Sequence, residues 1–231
     1  MIKAVIFDFD GVIADSEMIH FRAFNAALEK YNILLDLKKY WSEYLGFTDK
    51  EAYQQIKIDN NLDWDNDKIE WLIDEKAVFF DEIVAKEGVL IDGVMDFIAA
   101  LKDYGMTMAI CSGATAADIE SVFKATKKRT GIDMREFFKT VVTADDVKNG
   151  KPSPEGYTLT LSKLNIINNT DMKPSEVIVI EDSHWGIEAG KAAGMIVAAV
   201  TNSYKKDELT GVADIVVDNL RELKQSKTIF A

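Results

Sequence analysis

The sequence is poor in several things at once. A single cysteine, Cys111, excludes a disulfide within the chain. No apolar run approaches the length a membrane span requires, and no internal repeat, low-complexity tract or long Pro/Gly/Ser linker interrupts it; there are three prolines. Positive charge is also short: 27 Lys and Arg stand against 39 Asp and Glu, a formal net charge of −12. That excess argues against nucleic acid or an anionic membrane as the main partner. An anionic substrate then needs local groups or a metal to reverse the sign. No signal peptide precedes the first apolar run, and with one cysteine the expected setting is soluble, reducing and cytoplasmic. What is present is ordinary for a globular chain: 231 residues, 48% hydrophobic and 29% charged, enough for a large domain or a domain with a smaller insertion. Oligomeric state is open, and a monomer is compatible with everything in the sequence.

The informative stretch is Ile6-Phe7-Asp8-Phe9-Asp10-Gly11-Val12. An apolar run from Ala4 ends abruptly in two carboxylates one residue apart, which reads as a buried strand delivering acids to its C-terminal edge. Side chains alternate along a strand, so Asp8 and Asp10 project to one side while the extended conformation lasts. Two acids that close need a hard cation, or a division of labour between nucleophile and proton donor, and both can hold together. The plainer alternative is a pair of turn acids, since Asp-Gly is an ordinary turn dipeptide.

After Asp15 the period changes. Phe21, Phe24, Leu28 and Tyr31 recur at helical steps, and helical segments continue over 37–45, 49–58 and 67–86, with Thr48 or Asp49 as a cap. Residues 16–87 thus read as a helical block inserted after the first strand. Strand and helix then alternate. Apolar runs end at Ser112-Gly113, Ala144-Asp145-Asp146, Glu181-Asp182-Ser183, Thr201-Asn202 and Asp218-Asn219, with helical patterns between them. The expected fold class is α/β, a Rossmann-like parallel sheet formed by 1–15 and 88–231, carrying an α-helical cap domain. Ligands in such sheets bind beyond the carboxyl ends of the strands, and every polar cluster just named lies at such an end.

Four groups converge in that arrangement. Asp8 and Asp10 close the first strand. Ser112 and Gly113 offer a hydroxyl and backbone N–H groups to an anion. Lys151, in Asn149-Gly150-Lys151-Pro152-Ser153-Pro154, can place an ammonium against both a phosphate and a carboxylate. Glu181 and Asp182 supply further oxygen ligands for Mg2+. A lone lysine or acid pair is an ordinary solvated feature; the four in this order are not.

These motifs, Asp8-Phe9-Asp10-Gly11-Val12, Ser112, Lys151-Pro152-Ser153-Pro154-Glu155 and Glu181-Asp182-Ser183-His184-Trp185-Gly186-Ile187, resemble those of the haloacid dehalogenase superfamily. The likeness is greatest to its phosphatase and beta-phosphoglucomutase branch, whose helical cap follows the first motif. The resemblance implies Asp8 as the nucleophile forming an aspartyl-phosphate and Asp10 as general acid and base. It also implies Ser112 and Lys151 as phosphate ligands, and Mg2+ on Asp8, the Asp10 carbonyl and Asp182 with Glu181 nearby. Dehalogenation suits the pattern less well, because a leaving halide needs no proton.

Hydrolase and mutase differ in what accepts the phosphoryl group. His20 and Lys76 fall where the mutase has a hinge histidine and a cap lysine, which makes both candidate substrate-binding residues. Asp49 stands where the mutase carries an arginine, and an acid there repels a second phosphate. The favoured expectation is therefore a Mg2+-dependent phosphatase of a small phosphomonoester such as a sugar phosphate, with a mutase as the alternative. The non-enzyme alternative is an idle phosphate-metabolite binding module. Three other features read as structural: Cys111 as a small buried residue, Asp63, Asp65 and Asp67 as a capping turn rather than a calcium loop, and His184-Trp185 as local packing.

Overall fold

The computed structural model describes residues 1–44 and 47–230, so the end of the 37–45 helical segment and Gly46 lie outside them. Four-residue strand β1 (Ala4–Phe7) is wholly buried, as a strand sealed on both faces by helices must be. It lies at the middle of a six-stranded sheet in the order β3-β2-β1-β4-β5-β6. The other strands are β2 (Thr107–Cys111), β3 (Val141–Val142), β4 (Val177–Glu181), β5 (Ile196–Val200) and β6 (Ile215–Val217), and every pairing is parallel. The expected parallel α/β sheet is present. The run at Thr140–Thr143 contributes only two strand residues, because Thr143, still extended, caps a helical turn that begins at once over Ala144–Asp146.

The chain divides into two units, Met1–Asp15 with Val89–Ala231, and Ser16–Gly88. The second contains α1 (Glu17–Leu28), α2 (Leu37–Lys39) running into a π-helical turn over Tyr40–Tyr44, α3 (Asp49–Asp59) and α4 (Asn66–Glu87). Among the described residues of this unit there is no strand. Thr48 caps α3 through a reciprocal box with Glu51. Asp65 caps α4, accepting from the Lys68 N–H at 2.8 Å, the capping turn expected there. Phe24, Leu28, Tyr53, Ile56, Ile69 and Leu72 fill the core of this bundle.

In the first unit, α5 (Val94–Asp103), α6 (Ala116–Thr130), α7 (Glu155–Asn168), α8 (His184–Ala192) and α9 (Lys206–Leu209) lie between strands, and α10 (Leu220–Leu223) follows β6. Strand alternation sends Ala4 and Ile6 into a core with Tyr157, Leu161, Leu164 and Ile187 from α7 and α8. Phe7 faces the opposite layer, meeting Phe97 and Phe138 edge-on at 5.9 Å in each case. The register pairs Phe7 with Ile110 and with Ile180, so the residues after these three positions emerge side by side at the sheet's carboxyl edge. No helix among the described residues is long and apolar enough to cross a membrane.

Candidate active site

Asp8 leaves β1 still tied to the sheet, its N–H donating to the Ile180 carbonyl at 2.9 Å, so it lies beside Glu181 at the end of β4. Lys151 arrives from the loop before α7, and its Nζ donates to Asp8 Oδ1 and to Glu181 Oε1, each at 2.6 Å. Asp8, Glu181 and Asp182 are all buried and offer oxygens that lie within 4.8 Å of one another. The structure thus brings Asp8, Lys151, Glu181 and Asp182 to one place.

The electrostatics follow from that crowding. Burial pushes the Asp8 carboxyl up to about 7; Lys151 opposes the shift, and Glu181 and Asp10 reinforce it. Burial, with Glu181 and Asp8 close by, holds Asp182 well above the carboxylate range. Glu181 goes the other way. Burial resists its charge, but Lys151, the Ser183 N–H and the Tyr157 hydroxyl together leave its carboxyl below the usual value. Burial likewise disfavours the Lys151 ammonium, and Asp8 and Glu181 outweigh it, so its affinity for a proton ends well above that of a free lysine.

Three buried carboxyl groups share one ammonium in a place water does not screen, and the upward shifts of Asp8 and Asp182 show that their full ionisation is not compensated by Lys151 alone. A hard divalent cation with oxygen ligands is the group such a donor set fits. Glu181 contributes less to that set than its position suggests. Its Oε1 accepts from Lys151 and from the Tyr157 hydroxyl at 2.8 Å, and its Oε2 accepts from the Asp182 N–H, the Ser183 N–H and the Ser183 hydroxyl at 3.0 to 3.1 Å. Its closeness to the start of α8 requires Gly186, where a Cβ would lie 1.6 Å from Glu181 Oε1.

Asp10 follows the strand and is half-buried. The turn after it reverses through Gly11 at φ +75°, where the Cβ of any other residue would fall 1.8 Å from Asp182 Oδ2. At the end of β2 the Ser112 N–H continues the sheet to the Val142 carbonyl at 3.0 Å, and its Oγ accepts from the Ala114 N–H at 3.0 Å. The hydroxyl proton remains to be donated outward. Gly113 is exposed, with open space where a side chain would stand.

His20 and Lys76 lie in the helical unit and meet each other there. Lys76 is completely buried. Its ammonium has three protons and three partners: Asp49 Oδ1 and Oδ2, both at 2.8 Å, and His20 Nδ1 at 2.7 Å. Burial, and then the Lys76 charge, hold His20 well below its ordinary value, so it is the neutral ring that accepts at Nδ1. Its imidazole stacks on Phe80 at 4.4 Å.

Several partners carry no sequence signal of their own. Tyr157 sits at an ordinary core position of α7, and only its contact with Glu181 reveals a role. Asn202 and Ser203 read as turn residues, yet Asn202 Nδ2 donates to the Gly11 carbonyl at 2.7 Å and the Ser203 hydroxyl donates to Asp182 Oδ2. Cys111 is buried, and burial raises its thiol to about 11, so it is inert packing. His184 packs edge-on against Tyr204.

Fold and site together define an α/β protein in which carboxylates and one ammonium gather at the carboxyl edge of a parallel sheet. The chain belongs to the haloacid dehalogenase-like hydrolase family, whose model matches residues 5–200. It is 29% identical over 201 residues to a phosphorylated carbohydrates phosphatase of Thermotoga maritima, covering 84% of this chain and 82% of that one. Its fold superposes on CbbY of Rhodobacter sphaeroides in complex with phosphate at a TM-score of 0.83, with 27% identity and 96% of each chain covered. The CbbY fold was also solved with xylulose-1,5-bisphosphate. A beta-phosphoglucomutase of Clostridium difficile superposes at a TM-score of 0.74, with 25% identity over 96% of this chain and 93% of the other.

Proposed function

We propose that this protein is a Mg2+-dependent phosphatase that hydrolyses a small phosphomonoester of the sugar-phosphate class through an aspartyl-phosphate on Asp8. The observation that carries the proposal is the Lys151 ammonium shared between Asp8 and Glu181 beside Asp182. Phosphoryl transfer asks a site chiefly for in-line positioning and charge stabilisation, and an ammonium held beside a buried carboxylate supports the second of these. Relatives named as sugar-phosphate phosphatases support the substrate class.

The residues divide the work. Lys151 fixes Asp8 through Oδ1 and sets a positive charge where the phosphoryl group approaches. Ser112 Oγ–H and the backbone N–H groups around Gly113 bind its peripheral oxygens. An Asp8 oxygen attacks phosphorus as the ester oxygen departs, and Asp10 gives that oxygen its proton. Asp10 then takes a proton from water, which attacks the phosphorus of the aspartyl-phosphate and returns Asp8. Asp8 and Asp182, with the Asp10 carbonyl, would hold Mg2+, with Glu181 positioned by its own donors beside them. Bound there, the ion supplies the charge neutralisation that lets a carboxylate approach a phosphate.

The helical unit favours hydrolysis over the mutase alternative. All three Lys76 protons are engaged within that unit, two of them by Asp49, so Lys76 has no proton left to donate to a second phosphate. The test is inorganic phosphate release from a panel of phosphomonoesters with and without Mg2+. Mg2+-dependent release that Asp8→Asn abolishes is expected, and no release across the panel refutes the hydrolase. Steady conversion of beta-glucose 1-phosphate to glucose 6-phosphate, with a trace of the bisphosphate, shows the mutase instead.

A further inference from the structure

The turn after β5 reaches the site through two side chains with no part in the chemistry above. The Ser203 hydroxyl donates to Asp182 Oδ2, and the Asn202 amide donates to the carbonyl of Gly11 at 2.7 Å. Gly11 in turn lies flat against that same Asp182 carboxylate, since a Cβ there would reach Oδ2 at 1.8 Å. The turn is itself anchored to the sheet, the Thr201 N–H donating to the Val217 carbonyl at 3.2 Å. Asp182 is buried among like charges, so nothing in the acid cluster itself holds its carboxyl plane in one orientation. A hydroxyl on Oδ2 does, and the Gly11 backbone packs closest to that same oxygen, leaving it little room to turn.

We propose that Asn202 and Ser203 form a positioning clamp for the cation site: Ser203 orients the Asp182 carboxylate, and Asn202 locks the same turn onto the loop that carries Asp10. The inference rests on the reading of Asp182 as a metal carboxylate. Partners that orient a ligating carboxylate set the affinity of the site, typically by about 10- to 100-fold when removed. Ser203 donates to Asp182 rather than to the nucleophile Asp8, so its effect is on binding of the ion rather than on the chemical step.

The experiment is calorimetric titration of the chelator-treated full chain with Mg2+, with no substrate present. Wild type, Ser203→Ala, Ser203→Thr and Asn202→Ala are compared, with the far-UV spectrum of each recorded beforehand. The clamp predicts that Ser203→Ala weakens Mg2+ binding about 10-fold or more, and that Ser203→Thr, which keeps the hydroxyl, restores it to within about threefold. Asn202→Ala weakens it as well, and all four spectra coincide. Phosphate release by Ser203→Ala then recovers toward wild type as Mg2+ is raised. Wild-type affinity in Ser203→Ala, or an equal loss in the Ala and Thr variants, overturns the clamp while leaving the phosphatase reading intact. Absence of Mg2+ binding by the wild type overturns both.

Discussion

Replacing Lys76 by methionine tests whether the ammonium buried in the helical unit is held by charge pairing or merely enclosed. Methionine keeps the apolar stem and removes only the charge and its three protons. Asp49 is then left without its counterion and His20 Nδ1 without its donor. Removing one partner of a buried ion pair costs about 3–5 kcal/mol. The Asp49 side chain keeps a quarter of its surface in water and can rehydrate in part, so about 2–3 kcal/mol is the expected loss. For a chain of this size that lowers Tm by about 5–10 °C. Asp49→Asn strands the opposite charge, a fully buried ammonium, and costs at least as much. The double variant Asp49→Asn/Lys76→Met strands neither, so its loss falls short of the sum of the singles by about 1.5 kcal/mol or more. Urea unfolding followed by far-UV circular dichroism at pH 7.5 measures all four corners of the cycle. Strict additivity, or a Lys76→Met midpoint indistinguishable from wild type, refutes the reasoning.

His20 makes the stability of the chain sensitive to mild acid. Its folded-state affinity for protons lies below the unfolded one, so its stabilising contribution is complete above the unfolded value of about 6.5 and is lost as pH falls below it. The expected loss between pH 7 and 5.5 is about 1 kcal/mol, read as a shift in urea midpoint that His20→Gln flattens; an unchanged slope in that variant refutes it. Tyr157→Phe removes one donor from the buried Glu181 and costs about 1–3 kcal/mol in thermal unfolding, with no change of sheet content. Gly186→Ala drives a methyl into Glu181 Oε1 and lowers Tm by several degrees, an effect on the order of 2 kcal/mol, whereas Gly113→Ala, which meets open space, leaves Tm within about a degree.

Much of the core was legible because its signals are local. The apolar run into Asp8 and Asp10, and the polar endings of β2, β4 and β5, each announce a strand and its edge within a few residues. Parallel sheet topology then brings those edges together without further information. The pairings that set the site's fine geometry are not local. Tyr157 reads as one more buried residue on a helix, and Asn202-Ser203 as an ordinary turn, until the fold places them against Glu181, Gly11 and Asp182. Asp49 shows the same limit: its sequence position suggests an acid free to repel an anion, but its carboxylate binds Lys76 across the bundle. The two-residue strand Val141–Val142 is short for a local reason instead, since Thr143 caps the helical turn that follows at once.

The central place of β1 has a consequence for synthesis. The first strand made has both its neighbours, β2 and β4, far downstream, whereas the helical unit Ser16–Gly88 is one uninterrupted stretch. Emerging from the ribosome, the chain can complete its helical bundle while Ala4–Phe7, a wholly apolar segment, still has no strand to pair with. Thr107–Cys111 covers one edge of that segment and Val177–Glu181 the other only about seventy residues later, so a nascent chain stalled between β2 and β4 exposes an open apolar strand edge and is prone to aggregate.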